Sequence, residues 1–215
     1  MRTINKRYTR KYTNIIASHI QNNLREYTIA SIIFVIGILL GIVFFNNLNS
    51  VQTSEINTYL SNSIISLKEN GHNNELSILK DSVQKNFLLV ILLWLMGSTV
   101  IGLLLVYLIV CFKGFCFGFT ISSILYALGT GKGIILFLST MLLKNIIDIP
   151  CTVALAVSGM NLYKSIMQDR RKENIKLEVV RHTLFSILML LFLIISSFIE
   201  AYISHNILQC CLKYL

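Results

Sequence analysis

Residues 28–45 read TIASIIFVIGILLGIVFF, an uncharged run of 18 residues that is rich in Ile, Leu, Val and Phe. A helix needs about 20 mostly apolar residues to cross the roughly 30 Å hydrocarbon core of a bilayer. The run therefore predicts a transmembrane helix. It is followed by Asn46-Asn47 rather than by a small-residue cleavage site, which indicates a retained anchor and not a signal peptide.

The composition of the 215-residue chain agrees with a membrane location. Hydrophobic residues make up 54% and charged residues 13%, and there is a single proline. A soluble domain usually carries about 25% charged residues. This balance excludes a disordered protein, a disulfide scaffold and most soluble enzymes. In a membrane protein the net charge of +9 indicates orientation rather than binding to nucleic acid.

Four further hydrophobic segments follow the first, at residues 86–112, 114–131, 133–163 and 183–199. The predicted fold is therefore an all-α, polytopic membrane protein with about five transmembrane segments. We divide the chain into a basic tail and one bundle domain that includes two loops. The tail covers 1–26, the bundle 27–215, and the loops 46–85 and 161–182.

The distribution of basic residues orients the predicted spans. The tail and the 164–181 connection hold six bases each, and Lys113 links the second and third segments. With five crossings, these regions fall on one side, which the positive-inside rule assigns to the cytoplasm. The N-terminus is then cytoplasmic and the C-terminus extracytoplasmic.

The basic tail carries Ile16, Ile20 and Leu24 at a spacing of four residues. This spacing is typical of a short amphipathic helix on the inner leaflet, where anionic lipid favours its basic residues. A basic tail that only sets the topology fits the same residues.

The 46–85 loop contains two amphipathic repeats separated by a turn-like sequence at 69–74. The pattern predicts an extracytoplasmic helical hairpin. Its arms either pack against each other or present a docking face to an extracytoplasmic partner. The candidate face of the first arm consists of Ile56, Leu60, Ile64 and Leu67.

The fourth segment contains the sequence KNIIDIP at 144–150. Lys144 and Asp148 are four residues apart, so they share a helix face and can pair. An isolated charge at the centre of a bilayer costs about 2.5–3.5 kcal/mol, so the pair predicts a site facing protein. Pro150 removes a helix hydrogen bond and predicts a kinked or broken helix, while Asn145 offers a donor nearby.

Two functions fit this intramembrane polar site of Lys144, Asn145, Asp148 and Pro150. It is either a structural ion pair that fixes helix packing, or the centre of a transporter or channel for protons or small solutes. The geometry is also open between one kinked span and a re-entrant pair of half-helices.

Small residues at a spacing of four predict close helix packing in two spans. Gly37 and Gly41 form such a pair in the first span, and Gly114 and Gly118 form another in the third. The pairs fit contacts within one chain or between copies, so a homo-oligomer remains open. Membrane lipids are the expected surroundings of the other faces.

The sequence predicts no catalytic residues, metal site or cofactor. The four histidines share no spacing; His72 falls in the loop turn and His182 on the wet side of a predicted span boundary. Cysteines at metal-binding intervals such as Cys-x-x-Cys are absent from the sequence.

The chain resembles the stage II sporulation protein M family of endospore-forming bacteria. The resemblance rests on KGFCFGFT at 113–120, on the polar segment at 144–150, and on the plan of basic tail, anchor, polar loop and further spans. It implies a non-enzymatic membrane component of engulfment. In that scheme the subunit holds two peptidoglycan-degrading partners, stage II sporulation proteins D and P, at the septal membrane.

Overall fold

The computed structural model describes residues 21, 23–70, 75–99, 102–168, 172–204 and 206–207. Within these residues the chain is helical and contains no strand. Its elements are α1 (Leu24–Asn46), α2 (Ser50–Asn70), α3 (Glu75–Gly97), α4 (Gly102–Leu128), α5 (Thr130–Leu136), the π-helical segment π1 (Phe137–Met141), α6 (Leu142–Gln168), α7 (Lys172–Phe198) and the π-helical segment π2 (Ile199–Ser204).

Four stretches of helix are long and apolar enough to cross a membrane. They are Leu24–Asn46, Leu104–Leu128, Leu142–Met167 and Ile175–Ser204. The prediction of an all-α membrane protein is therefore confirmed. A fifth long helix, α3, carries Lys80, Asp81 and Lys85 in its first half, and so falls outside this group.

Large apolar side chains cover the outer faces of these helices. In α1, for example, Ile32, Val35 and Leu39 are each more than half exposed, and α7 exposes Leu184 and Leu191 in the same way. Apolar surface of this extent is rare on a soluble monomer. In a bilayer it is the surface that contacts lipid, which explains why the sequence is so poor in charge.

The predicted boundary between the second and third spans is wrong. Residues 86–112 do not form one helix, because α3 ends at Gly97 and α4 begins at Gly102. Lys113 is not a cytoplasmic link but lies near the middle of α4, which is continuous from Gly102 to Leu128. The turn at Ser98 and Thr99, next to two glycines, interrupts the apolar run instead.

Helix α6 is the centre of the bundle. Every residue from 151 to 160 is buried, and 61% of its apolar window is buried against 22–33% in the other three candidate spans. The segment reads CTVALAVSGM, so small side chains let α1, α3, α4 and α7 approach it from different sides.

Helices α1 and α4 form the most extensive contact in the bundle. Gly37 faces the backbone of Cys111, and Gly41 faces that of Phe115, so the two helices run parallel. From the other side, Gly114 and Gly118 face the backbone of α1. All four glycines predicted for helix packing therefore lie in one contact within a single chain.

Helices α3, α6 and α7 form a second group, joined by polar side chains. Ser82 and Trp94 of α3 bond to Ser197 and Thr183 of α7, so these two helices are antiparallel. Helix α6 is also antiparallel to α7, because Lys144 contacts Glu200 near one end. At the other end, Ser158 and His182 lie 2.8 Å apart.

The fourth predicted segment is one continuous helical path rather than a re-entrant pair. Helix runs from Thr130 to Gln168 through α5, π1 and α6. Pro150 lies inside α6, which continues past it. The irregular hydrogen bonding is found at Phe137–Met141, before the proline.

The loop prediction is correct in forming two helices, but their packing differs from a self-packed hairpin. In the described residues, α2 packs mainly against α4 and makes at most marginal contact with α3. The turn at 71–74, including His72, lies outside the described residues. So does the predicted tail helix, apart from Leu24, which is exposed in α1.

Candidate functional site

The predicted pair of Lys144 and Asp148 is part of a larger charged cluster. Lys144 Nζ lies 3.9 Å from Asp148 Oδ2, but only 2.5 Å from Glu200 Oε2 of π2. Its strongest partner is therefore an acid 56 residues away in the sequence. Lys144 and Glu200 are partly exposed, whereas Asp148 is 2% exposed.

Neutral polar side chains connect this cluster to α3 and α7. Ser82 Oγ lies 3.3 Å from Lys144 Nζ and donates to Ser197 Oγ at 3.1 Å. The Asn86 amide donates to Ser197 Oγ and to the carbonyl of Leu193. Both Ser82 and Asn86 are buried. Inside a membrane, where water does not satisfy such groups, these bonds hold the three helices together.

A cavity of about 470 Å³ adjoins the charged cluster. Lys144, Asp148 and Glu200 line it together with Lys85 of α3 and Lys113 of α4. Phe34 of α1 and Phe117 of α4 contribute to its apolar wall. The cavity therefore lies between the α1–α4 pair and the α3–α6–α7 group. We call it the polar cavity.

Asp148 is only partly satisfied within this cavity. Its Oδ1 atom is buried and has no hydrogen-bond partner in the described residues. The backbone carbonyl of Asp148, by contrast, accepts from Thr152 at 2.6 Å. A buried polar atom without a partner is costly and marks a place where a donor is missing.

The other predicted site residues are near the cluster but differ in role. Asn145 lines the polar cavity and donates to the carbonyl of Met141 at 2.7 Å. Pro150 lines a separate apolar groove of about 530 Å³, with Tyr27 of α1 and Phe185 of α7. The structure thus brings three of the four predicted residues together.

Only half of the predicted docking face on α2 lies in the part of the chain whose side chains are described. Ile56 and Leu60 are half-buried, while Val51 and Tyr59 are 66% and 74% exposed. The side chains of Ile64 and Leu67 lie outside the described part of the chain.

The sequence pattern missed Lys113 and Glu200 as members of the site. Lys113 interrupts an apolar run, as a residue of a short loop between two spans would. Glu200 follows the end of an apolar run, as a residue outside a span would. The position of His182 was also predicted wrongly: it is 2% exposed and contacts Ser158 of α6. A helical wheel of α7 places His182, Ser186 and Ser197 near one face, which is the signal that was available.

The described residues contain no group of three or more His, Cys, Asp or Glu side chains placed to hold a metal ion. The chemistry of the polar cavity is instead that of lysine ammonium groups, two carboxylates and neutral donors. Such a set binds and orients charged groups.

Comparison with known proteins places the chain in a family. An uncharacterized protein of Methanocaldococcus jannaschii is 26% identical over 179 residues, covering 81% of this chain and 91% of that protein. No solved structure matches the chain. The family described as stage II sporulation protein M matches residues 30–205, from α1 to the end of the described bundle. Since this match covers most of the chain, the protein belongs to the stage II sporulation protein M family of membrane proteins.

Proposed function

We propose that the protein is a non-enzymatic membrane scaffold that holds peptidoglycan-degrading partners at the sporulation septum. The proposed partners are stage II sporulation proteins D and P, as implied by the family. Membership of a sporulation family and the apolar helices support this assignment. The comparisons give no support to a transporter or channel centred on Lys144 and Asp148.

The observation that carries the proposal is the exposed face of α2. This helix of 21 residues follows the first candidate span directly and is polar on average. Because its inner face contacts α4, its outer face with Val51, Glu55 and Tyr59 is available to a partner. An exposed aromatic such as Tyr59 is typical of a binding hot spot.

The proposed orientation puts the N-terminus in the cytoplasm and α2 on the side where cell-wall enzymes act. An ion pair between Glu26 and Lys164 supports it, since it joins the start of α1 to the end of α6. The start of α1, which the basic tail precedes in the sequence, and the end of α6, where the basic 164–181 connection begins, therefore lie at the same end of the bundle. The proposed location is the mother-cell side of the septal membrane in a bacterial cell.

The test compares two substitutions that add the same charge at equally exposed sites. Tyr59→Asp changes α2, where Tyr59 is 74% exposed, and Leu76→Asp changes α3, where Leu76 is 72% exposed. We expect Tyr59→Asp to reduce recovery of the two partners from sporulating membranes at least tenfold, with Leu76→Asp close to wild type. Wild-type recovery of the partners with both Tyr59→Asp and Val51→Asp would contradict the proposal.

A further inference from the structure

The polar cavity holds more positive than negative side chains. Three lysines line it, Lys85, Lys113 and Lys144, against two carboxylates, Asp148 and Glu200. Lys144 lies between the two carboxylates, at 2.5 Å from one and 3.9 Å from the other. None of the ion pairs found among the described residues includes Lys85 or Lys113.

Of these two cations, Lys113 is the one whose charge is more costly to bury. It lies near the middle of a candidate membrane span and is not exposed. The ion pairs of the described residues do not include it. It lines the same cavity as Asp148 and Lys144. Since an unpaired charge within the bilayer is costly, an anion near Lys113 would stabilise the bundle.

Asp148 presents the opposite requirement. Its Oδ1 atom is buried without a hydrogen bond in the described residues, and Asp148 is one of the residues that line the same cavity. A carboxylate oxygen of this kind requires a donor. A single ligand that satisfies both Lys113 and Asp148 therefore carries an anionic group and, beside it, a hydroxyl or ammonium donor.

The remaining wall of the cavity is apolar. Phe34, Leu89, Phe117 and Ile149 line it from four helices. At its rim, Lys85 and Cys116 are exposed. Besides Asp148, Ser204 also lines the cavity and has a buried Oγ atom without a hydrogen bond in the described residues. A cavity that combines cations, unsatisfied polar atoms and an apolar wall suits an amphiphile better than a fully hydrated ion.

We propose that the polar cavity binds a phosphate group that carries a neighbouring hydroxyl or ammonium donor, as in a phospholipid headgroup. Lys113 and Lys85 are its cationic partners, and Asp148 accepts from its donor. This site goes beyond the scaffold function and does not depend on it, because a scaffold needs no bound phosphate within its bundle.

The first test uses the intact wild-type chain and the thiol of Cys116 at the rim. The purified protein is placed in nanodiscs of phosphatidylcholine, with or without roughly 20% phosphatidylglycerol. Phosphatidylglycerol is the anionic lipid used as the probe, at a content on the order of that of anionic lipids in membranes. Maleimide modification of Cys116 is followed by peptide mass spectrometry. We expect phosphatidylglycerol to slow it at least fivefold. In a separate arm, inorganic phosphate is added to phosphatidylcholine discs at about 10 mM, a concentration that would occupy a site with a millimolar dissociation constant.

Protection by phosphatidylglycerol assigns the phosphate to a lipid headgroup, and protection by inorganic phosphate alone assigns it to a free anion. Equal labelling in all three conditions would overturn the proposal. Cys111 of the same helix, which is partly exposed and does not line the cavity, supplies an internal reference for access of the maleimide.

The second test measures retained lipid by native mass spectrometry of variants. Lys113→Gln and Asp148→Ala each remove one partner of the proposed ligand, and we expect at least a fivefold loss of bound phosphatidylglycerol. Lys80→Gln is the matched control, since Lys80 is an exposed lysine of α3 that does not line the cavity. Retention at the wild-type level in both cavity variants would contradict the proposal.

Discussion

The two halves of the bundle are held together in different ways. The α1–α4 contact is made by glycines that let two backbones meet, flanked by aromatic pairs such as Phe45 with Phe119. The α3–α6–α7 contact is made by hydrogen bonds and ion pairs between side chains. Water does not drive apolar helices together inside a bilayer, so close backbone packing and interhelical polar bonds are the two available means.

This difference teaches where the chain tolerates change. A backbone contact fails abruptly, because a single added carbon has no room and the backbone cannot rotate away. A network of side chains fails gradually, because each bond is small and its neighbours remain. Four substitutions, ordered by their expected effect, test this contrast.

The largest effect is expected from Gly37→Leu in α1. A side chain at this position would collide with the carbonyl oxygen of Cys111, which belongs to the backbone of α4. Overpacking of this kind costs about 3 kcal/mol. The measurement is the free energy of unfolding in detergent. Gly131→Ala is the control, because a Cβ there meets nothing within 4 Å. An equally large loss of stability in the control would contradict the claim that the cost comes from the α1–α4 contact.

A smaller effect is expected from Lys144→Met in α6. The change leaves the carboxylates of Asp148 and Glu200 without their shared cation. Because the Lys144 and Glu200 side chains are 21% and 31% exposed, we expect a loss of about 2 kcal/mol rather than the larger cost of a fully buried pair. A Lys144→Met/Glu200→Leu variant should recover part of that loss in a double-mutant cycle; strictly additive losses would mean that the pair does not interact.

Asn86→Leu in α3 tests the neutral part of the polar contact. It removes two hydrogen bonds to α7, at 3.2 Å to the Leu193 carbonyl and 3.0 Å to Ser197 Oγ. Interhelical bonds in membranes are each worth well under 2 kcal/mol, so we expect a total loss of about 1 kcal/mol. A loss above that of Gly37→Leu, measured in the same unfolding assay, would reverse the proposed ranking of the two contacts.

The smallest effect is expected from Trp94→Phe, also in α3. The substitution keeps an aromatic ring but removes the 3.1 Å bond from Nε1 to Thr183 Oγ1. The expected loss is about 0.6 kcal/mol. Thr183→Val removes the same bond from the other side, and the two variants combined should lose little more than either one. If the double variant instead lost the sum of the two single losses, the bond would contribute nothing to stability.

The comparison also explains which parts of the fold could be predicted from the sequence. The glycine pairs and apolar runs are local signals, since spacing within one helix determines which face is smooth and which is apolar. The first candidate span and the positions of Gly37, Gly41, Gly114 and Gly118 follow from them. The four-residue interval between Lys144 and Asp148 likewise put two charges on one helix face.

The polar contact was harder to predict because its partners are distant in the sequence. Glu200 pairs with Lys144 across 56 residues, and no local pattern links them. Lys113 was mistaken for a loop marker, since a charge in an apolar run usually ends a span. Only the folded bundle brings Lys113 to the same cavity as Asp148 and Lys144. The interruption at 98–101 carries no charge or proline, so hydropathy alone does not reveal it.

The parallel arrangement of α1 and α4 has a consequence for biosynthesis. Parallel neighbours cannot be joined by a short turn, and here residues 47–101 separate them. The first anchor therefore leaves the ribosome and enters the membrane long before its partner exists. During that interval its glycine-lined face is open to lipid or to another nascent chain, and the pair closes only when a later helix has been threaded through the bilayer. Assembly of this half of the molecule thus depends on the order in which the chain is made.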